Sequence, residues 1–142
     1  MSNSPLRTVQ ARDVEPNRRR GGDVRVTLSP KTVGSTSGFG GVLWLAPGEV
    51  VTEHYHPYSE EFVHVVDGRV ELTVDGEVFL LATGDSFMVP INARHRMVSR
   101  GNDVAHLIFH LSPLAPRPEL GHVDTEAALV PQAPQLEVGG PA

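Results

Sequence analysis

At 142 residues, with a formal charge of −5 and no cysteine, the chain fits one domain that buries about 68–70% of its unfolded surface. Without cysteine there is no disulfide framework, thiolate ligand or cysteine nucleophile, so any metal must be held by nitrogen and oxygen. The acidic balance argues against a nucleic-acid partner, no run approaches the roughly 18 apolar residues of a membrane span, and the N-terminus lacks the apolar centre of a signal peptide. A cytoplasmic location is expected.

Taken in chain order, residues 1–23 read as a polar, irregular N-terminal arm. Residues 1–31 hold seven of the twelve Lys and Arg against three acids, whereas the remainder holds five against fourteen. The run Arg18-Arg19-Arg20 is the sharpest point of this asymmetry. It reads as a solvated arm or as a docking patch for an acidic partner.

From residue 24 onward, Gly, Pro, Asn and Asp punctuate the chain every eight to twelve residues and no long segment keeps a helical period. That spacing predicts short antiparallel strands in a sandwich or barrel. The predicted strands are Val24–Leu28, Gly40–Leu45, Val51–His56, Glu61–Val66, Val70–Val74, Glu77–Leu81, Ser86–Val89, His95–Ser99 and Val104–Leu111. Asp75-Gly76 is a type I′ hairpin signal, and Asp67-Gly68 and Gly84-Asp85 supply further turns. Residues 113–142, with six prolines, read as a Pro-rich C-terminal tail, leaving 24–112 as the folded all-β domain.

The densest chemical signal is His54-Tyr55-His56 followed by Glu61. Histidines at i and i+2 on a strand share a face, so both imidazoles can meet one ion, and a carboxylate from the next strand can join them. A pair of this kind is often plain polar surface. Parity puts Glu61 with Val63 and Val65 and sends Phe62, His64 and Val66 to the other face, which makes Glu61 a candidate and His64 not. His95, on a later strand, offers a third imidazole. In the last strand His106, Ile108 and His110 share one face and Ala105, Leu107, Phe109 and Leu111 the more apolar one. His110 stands as a site candidate at the strand end, while His122 in the tail reads as structural or solvent-facing.

These residues carry a family resemblance. Gly48-x5-His54-x-His56-x4-Glu61-x6-Gly68 matches the first cupin motif in every specified position, and Gly84-x5-Pro90-x4-His95 matches most of the second. Asn92 and Ser99 depart from it, where the family usually has Gly and often has Asn. The resemblance implies a single-domain double-stranded β-helix, or jelly-roll β-sandwich, with His54, His56, Glu61 and His95 converging at the bottom of a barrel.

Outside the motifs, Asn17-Arg18-Arg19-Arg20-Gly21-Gly22-Asp23, Leu28-Ser29-Pro30-Lys31-Thr32-Val33-Gly34 and the run from His110 to Asp124 resemble the cupin cyclases of bacterial aromatic polyketide pathways, of the tetracenomycin and resistomycin type. Such a cyclase folds a poly-β-ketone, tethered to an acyl carrier protein, for aldol condensation and dehydration. The resemblance implies a divalent metal, zinc first with iron, nickel or manganese as alternatives. It implies His54, His56 and His95 as ligands, Glu61 or His110 in a fourth position, and Glu61, His110 or a metal-bound hydroxide as the base. Apolar Phe62 and Val66 on the outer face are compatible with a homodimer. Other readings are a cupin dioxygenase holding Fe(II) and a non-catalytic small-molecule-binding cupin.

Overall fold

Alternating apolar residues and frequent turns produce the expected all-β architecture in the computed structural model, which describes residues 6–136. The strands are β1 (Asp23–Leu28), β2 (Phe39–Leu45), β3 (Val50–Tyr55), β4 (Glu60–Asp67), β5 (Arg69–Val74), β6 (Glu77–Ala82), β7 (Ser86–Val89), β8 (His95–Ser99), β9 (Ala105–Ser112) and β10 (Val123–Asp124). They form two five-stranded sheets in the orders β1-β2-β9-β4-β7 and β10-β3-β8-β5-β6, with every pairing antiparallel. No helix among the described residues is long and apolar enough to cross a membrane.

Parity decides what faces the interior. In β9, Ala105, Leu107, Phe109 and Leu111 are buried while Ile108 and His110 are exposed. In β4, Val63 and Val65 are buried while Phe62, His64 and Val66 face out. Both follow from side chains alternating across a pleated sheet whose inner face is the only dry one. Leu45, Val70, Leu72 and Val89 complete the floor of the same core.

The turns behave as their residues require. Asp75 and Gly76 have φ of 48° and 84°, the two left-handed positions of a type I′ hairpin. Asn92, standing where the resembling family usually has glycine, has φ of 69°. Asparagine is among the few side chains that tolerate that region.

Three features differ from the expectations. A one-turn helix, α1 (Pro30–Val33), interrupts the β pattern because Ser29 and Thr32 form a capping box and Gly34 ends the turn left-handed. Four residues are too few to show a helical period. The tail contributes β10, whose Val123 and Asp124 pair with Tyr55 and His54 of β3; a two-residue strand carries no alternation to detect.

The third difference is the basic run, which neither waves in solvent nor presents a cationic patch. Arg19 donates to the carbonyls of Pro131 and Ala133 at 2.7 and 2.8 Å, and both Arg19 and Arg20 pair with Asp124. Asn17 adds a bond to the Pro134 carbonyl. Only Arg18 stays largely exposed. Gly21 makes this clasp possible: a Cβ there would lie 1.9 Å from the Val50 carbonyl oxygen, so only glycine lets the arm run against β3 and turn Arg20 inward.

Candidate metal centre

The first motif supplies inward positions 52, 54 and 56 by strand alternation, and Thr52, His54 and His56 are all buried. His95 opens β8 and is the register partner of His54 across the β3–β8 pair. Glu61 enters from the opposite sheet near the start of β4, beside Leu111 and Val89. Two sheets thus place four side chains, separated by up to 41 positions, at one point between them. Their ligand atoms all lie within 4.8 Å of one another.

Hydrogen bonding orients each ring. Nδ1 of His54 lies 2.8 Å from the Thr52 carbonyl, that of His56 3.2 Å from the Gly121 carbonyl, and that of His95 3.0 Å from the Ala93 carbonyl. A carbonyl oxygen only accepts, so each Nδ1 carries the hydrogen and each Nε2 is the nitrogen left for the cluster centre. Nε2 of His56 and of His95 then stand 2.9 and 3.2 Å from Oε1 of Glu61.

Two nitrogen lone pairs cannot point at a carboxylate oxygen at these distances unless a positive charge lies among them, a proton or a metal ion. With metal–ligand bonds of about 2.1 Å, neighbouring donor atoms stand about 3.0–3.4 Å apart. The two separations from Glu61, 2.9 and 3.2 Å, are close to that range, and the donor set of three imidazoles and one carboxylate suits a divalent ion of the zinc, iron, nickel or manganese group.

The electrostatics favour a positive charge beside Glu61. Burial alone would raise the Glu61 carboxyl, but hydrogen bonds from His56 and His95 outweigh it and hold the group well below the usual carboxylate range. Burial lowers His95, yet its bond to Glu61 and that charge raise it overall. His54 is pushed well below the ordinary histidine value by burial first, then by His95 and His56.

Two residues depart from their expected places. His110 lies on the outer face of the first sheet, exposed and opposite Phe62, with ring centroids 6.2 Å apart. It does not join the cluster, because the apolar alternate residues of β9 take the interior. His122, expected to be structural or solvent-facing, is buried with its ring 4.4 Å from that of His56 and 5.5 Å from that of His54. Burial, then His56 and Arg20, lowers its basicity well below the ordinary value, and its Nδ1 has no hydrogen-bond partner among the described residues. No periodicity in the tail announces it; only the resemblance running through Asp124 includes it.

The cluster floors a cavity of about 60 Å³ whose apolar walls include Leu43, Val51, Met97, Phe109, Leu111 and Leu136. Among the described residues Glu61 is the only carboxylate lining it, and Arg20 and Asn17 of the arm close it with His122 and Leu136 of the tail.

Residues 41–111 match the family described as Cupin domain. The chain belongs to the cupin family. It is also 56% identical over 124 residues to "Polyketide synthase CurC" of Streptomyces cyaneus, covering 87% of this chain and 80% of that protein. It is 49% identical over 127 residues to "Tetracenomycin polyketide synthase protein TcmJ" of Streptomyces glaucescens, covering 89% and 85%. This cupin superposes with a TM-score of 0.67, at 18% identity, on a double-stranded β-helix protein of Klebsiella pneumoniae, over 85% of this chain and 98% of that one. That last likeness shows the fold.

Proposed function

We propose that this cupin acts in aromatic polyketide biosynthesis as a metal-dependent cyclase, closing a ring of a poly-β-ketone by aldol condensation and dehydration. Its likeness to Streptomyces polyketide synthase proteins over most of its length supports the pathway. The observation that carries the chemistry is the set of three carbonyl-tethered imidazoles meeting Glu61 in an otherwise mainly apolar cavity.

His54, His56, His95 and Glu61 would hold the ion, zinc first because ring closure by aldol chemistry is redox-neutral. A bound divalent ion supplies Lewis-acid polarisation of a carbonyl and electrostatic support for a developing enolate. The protein's own contributions can be read residue by residue. Oε1 of Glu61 faces the imidazoles, while its Oε2 makes no hydrogen bond among the described residues. That oxygen is the acceptor for a proton lost from a carbon between two carbonyls.

Leu43, Met97, Phe109 and Leu111 exclude water and restrict which carbons can meet, so positioning selects among competing ring closures. The cavity admits the reacting segment, with the rest of the chain reaching toward a carrier protein outside. Exposed Phe62, Met88 and Ile108 on one sheet face support pairing with a second copy.

The test is turnover of a carrier-bound poly-β-ketone with metal analysis and an oxygen electrode. Cyclised product without oxygen uptake, lost on chelation and restored by zinc, is expected. Cyclisation that persists unchanged in fully metal-depleted protein refutes the reading. Oxygen consumption coupled to turnover replaces it with an oxygenase.

A further inference from the structure

Arg20 is the charged group of the cavity that the aldol chemistry above leaves without a task. It is 5% exposed, lines the same cavity as the histidines, and is close enough to bear on the ionisation of His54, His95 and His122. A guanidinium carries five N–H donors. Nε donates to Asp124 at 2.7 Å and Nη2 to Gln135 at 2.5 Å, while Nη1 has no hydrogen bond among the described residues. Arg19 Nε is buried and unpaired, but no nitrogen of Arg20 is. Arg20 lines the cavity, and its unpaired Nη1 donors are the ones left for a guest there.

A purely structural clasp does not need this arrangement. Arg19, Asn17 and the Val130 amide already bind the tail, through Asp124, Pro131, Ala133, Pro134 and the Arg19 carbonyl, and Arg19 does not line the cavity. Charge points the same way. Arg20 and Glu61 balance within the cavity lining, so the site loaded with a divalent ion holds an excess of two positive charges and favours an anionic guest.

Building on the cyclase reading, we propose that Arg20 positions the substrate by donating hydrogen bonds to an anionic oxygen of the bound β-dicarbonyl segment, an enolate or diketonate oxygen. The planar fork suits two adjacent oxygens better than a point charge does. Asp124 and Gln135 hold the guanidinium in place from behind.

The probe is acetylacetone, a small β-diketone whose enolate absorption reports binding, titrated into the metal-loaded full chain. Arg20→Gln is expected to retain metal and to weaken binding about 10–100-fold, the range for a lost charge-assisted hydrogen bond. Arg19→Gln, which loosens the clasp but leaves the cavity lining, is expected to stay within about threefold of the parent. Arg20→Lys, which keeps the charge, decides the question if the Gln variant fails to fold, and is expected to bind several-fold more weakly because one ammonium cannot replace the fork.

Arg20 variants that hold metal and bind the probe like the parent overturn the proposal. So does an Arg19→Gln loss as large as that of Arg20→Gln, which would make Arg20 a clasp only. A parent chain that takes up no metal and binds no probe instead overturns the cyclase reading on which the proposal rests.

Discussion

Replacing His95 with alanine tests the centre and its electrostatics in one variant. The side chain is one of the four clustered groups that could hold a metal ion, its Nδ1 tied to the Ala93 carbonyl and its Nε2 3.2 Å from Glu61. Apparent binding free energies for four-ligand zinc sites run about 10–16 kcal/mol, so one donor accounts for about 2.5–4 kcal/mol. Metal affinity should therefore fall roughly 10²–10³-fold, measured by competition with a chromophoric chelator at pH 7.5.

The same variant has a pH signature in chelator-treated protein. The His95 value is raised in the fold, so its pairing with Glu61 contributes stability that is full below about pH 6.5 and is lost as pH rises through the raised value. The melting-temperature gap between parent and His95→Ala should be wider at pH 6 than at pH 9. Metal affinity within threefold of the parent would refute the ligand assignment, and a gap independent of pH would refute the Glu61 pairing.

His110→Ala should leave metal content and turnover within about twofold and stability within about 0.5 kcal/mol, since His110 is on the outer face; loss of metal on inductively coupled plasma analysis would contradict this. Asp124→Ala strands the buried Arg20 without its carboxylate and removes bonds of 2.7 and 3.2 Å. Asp124 is partly exposed, so the cost should be about 2–4 kcal/mol, a fall of about 5–15 °C in melting temperature. A shift under 2 °C by circular dichroism would show the clasp to be weak. His54 and His122 are both depressed by burial, so below about pH 6.5 the unfolded chain binds two protons that the fold refuses, against one that His95 already holds. Chelator-treated protein should lose stability from pH 6.5 toward 5, and a urea midpoint flat over that range would count against the neutral pair.

Strand existence and facing were legible because they depend on period two and on turn chemistry, both local. Glu61 and His64 are three residues apart, and parity alone sent one inward and the other out. The same rule separates Leu111 from His110. His110 could be misjudged only by allowing β9 to be buried on both faces, which its exposed Ile108 rules out.

His54, His56, Glu61 and His95 could be read together because their spacing sits inside two short motifs on regular strands. Arg20 and His122 could not. Arg20 belongs to a basic run whose side chains look alike in one dimension, and His122 to a proline-rich stretch with no period. Their burial comes from contacts across more than 60 positions: the Gly121 carbonyl on His56, Asp124 and Gln135 on Arg20. By itself the amino-acid order therefore determined an all-β barrel with a four-donor cluster, since both follow from local periodicity. Only the tertiary structure decided that arm and tail close the cavity, because nonlocal pairing between a guanidinium and a carboxylate leaves no trace in local pattern.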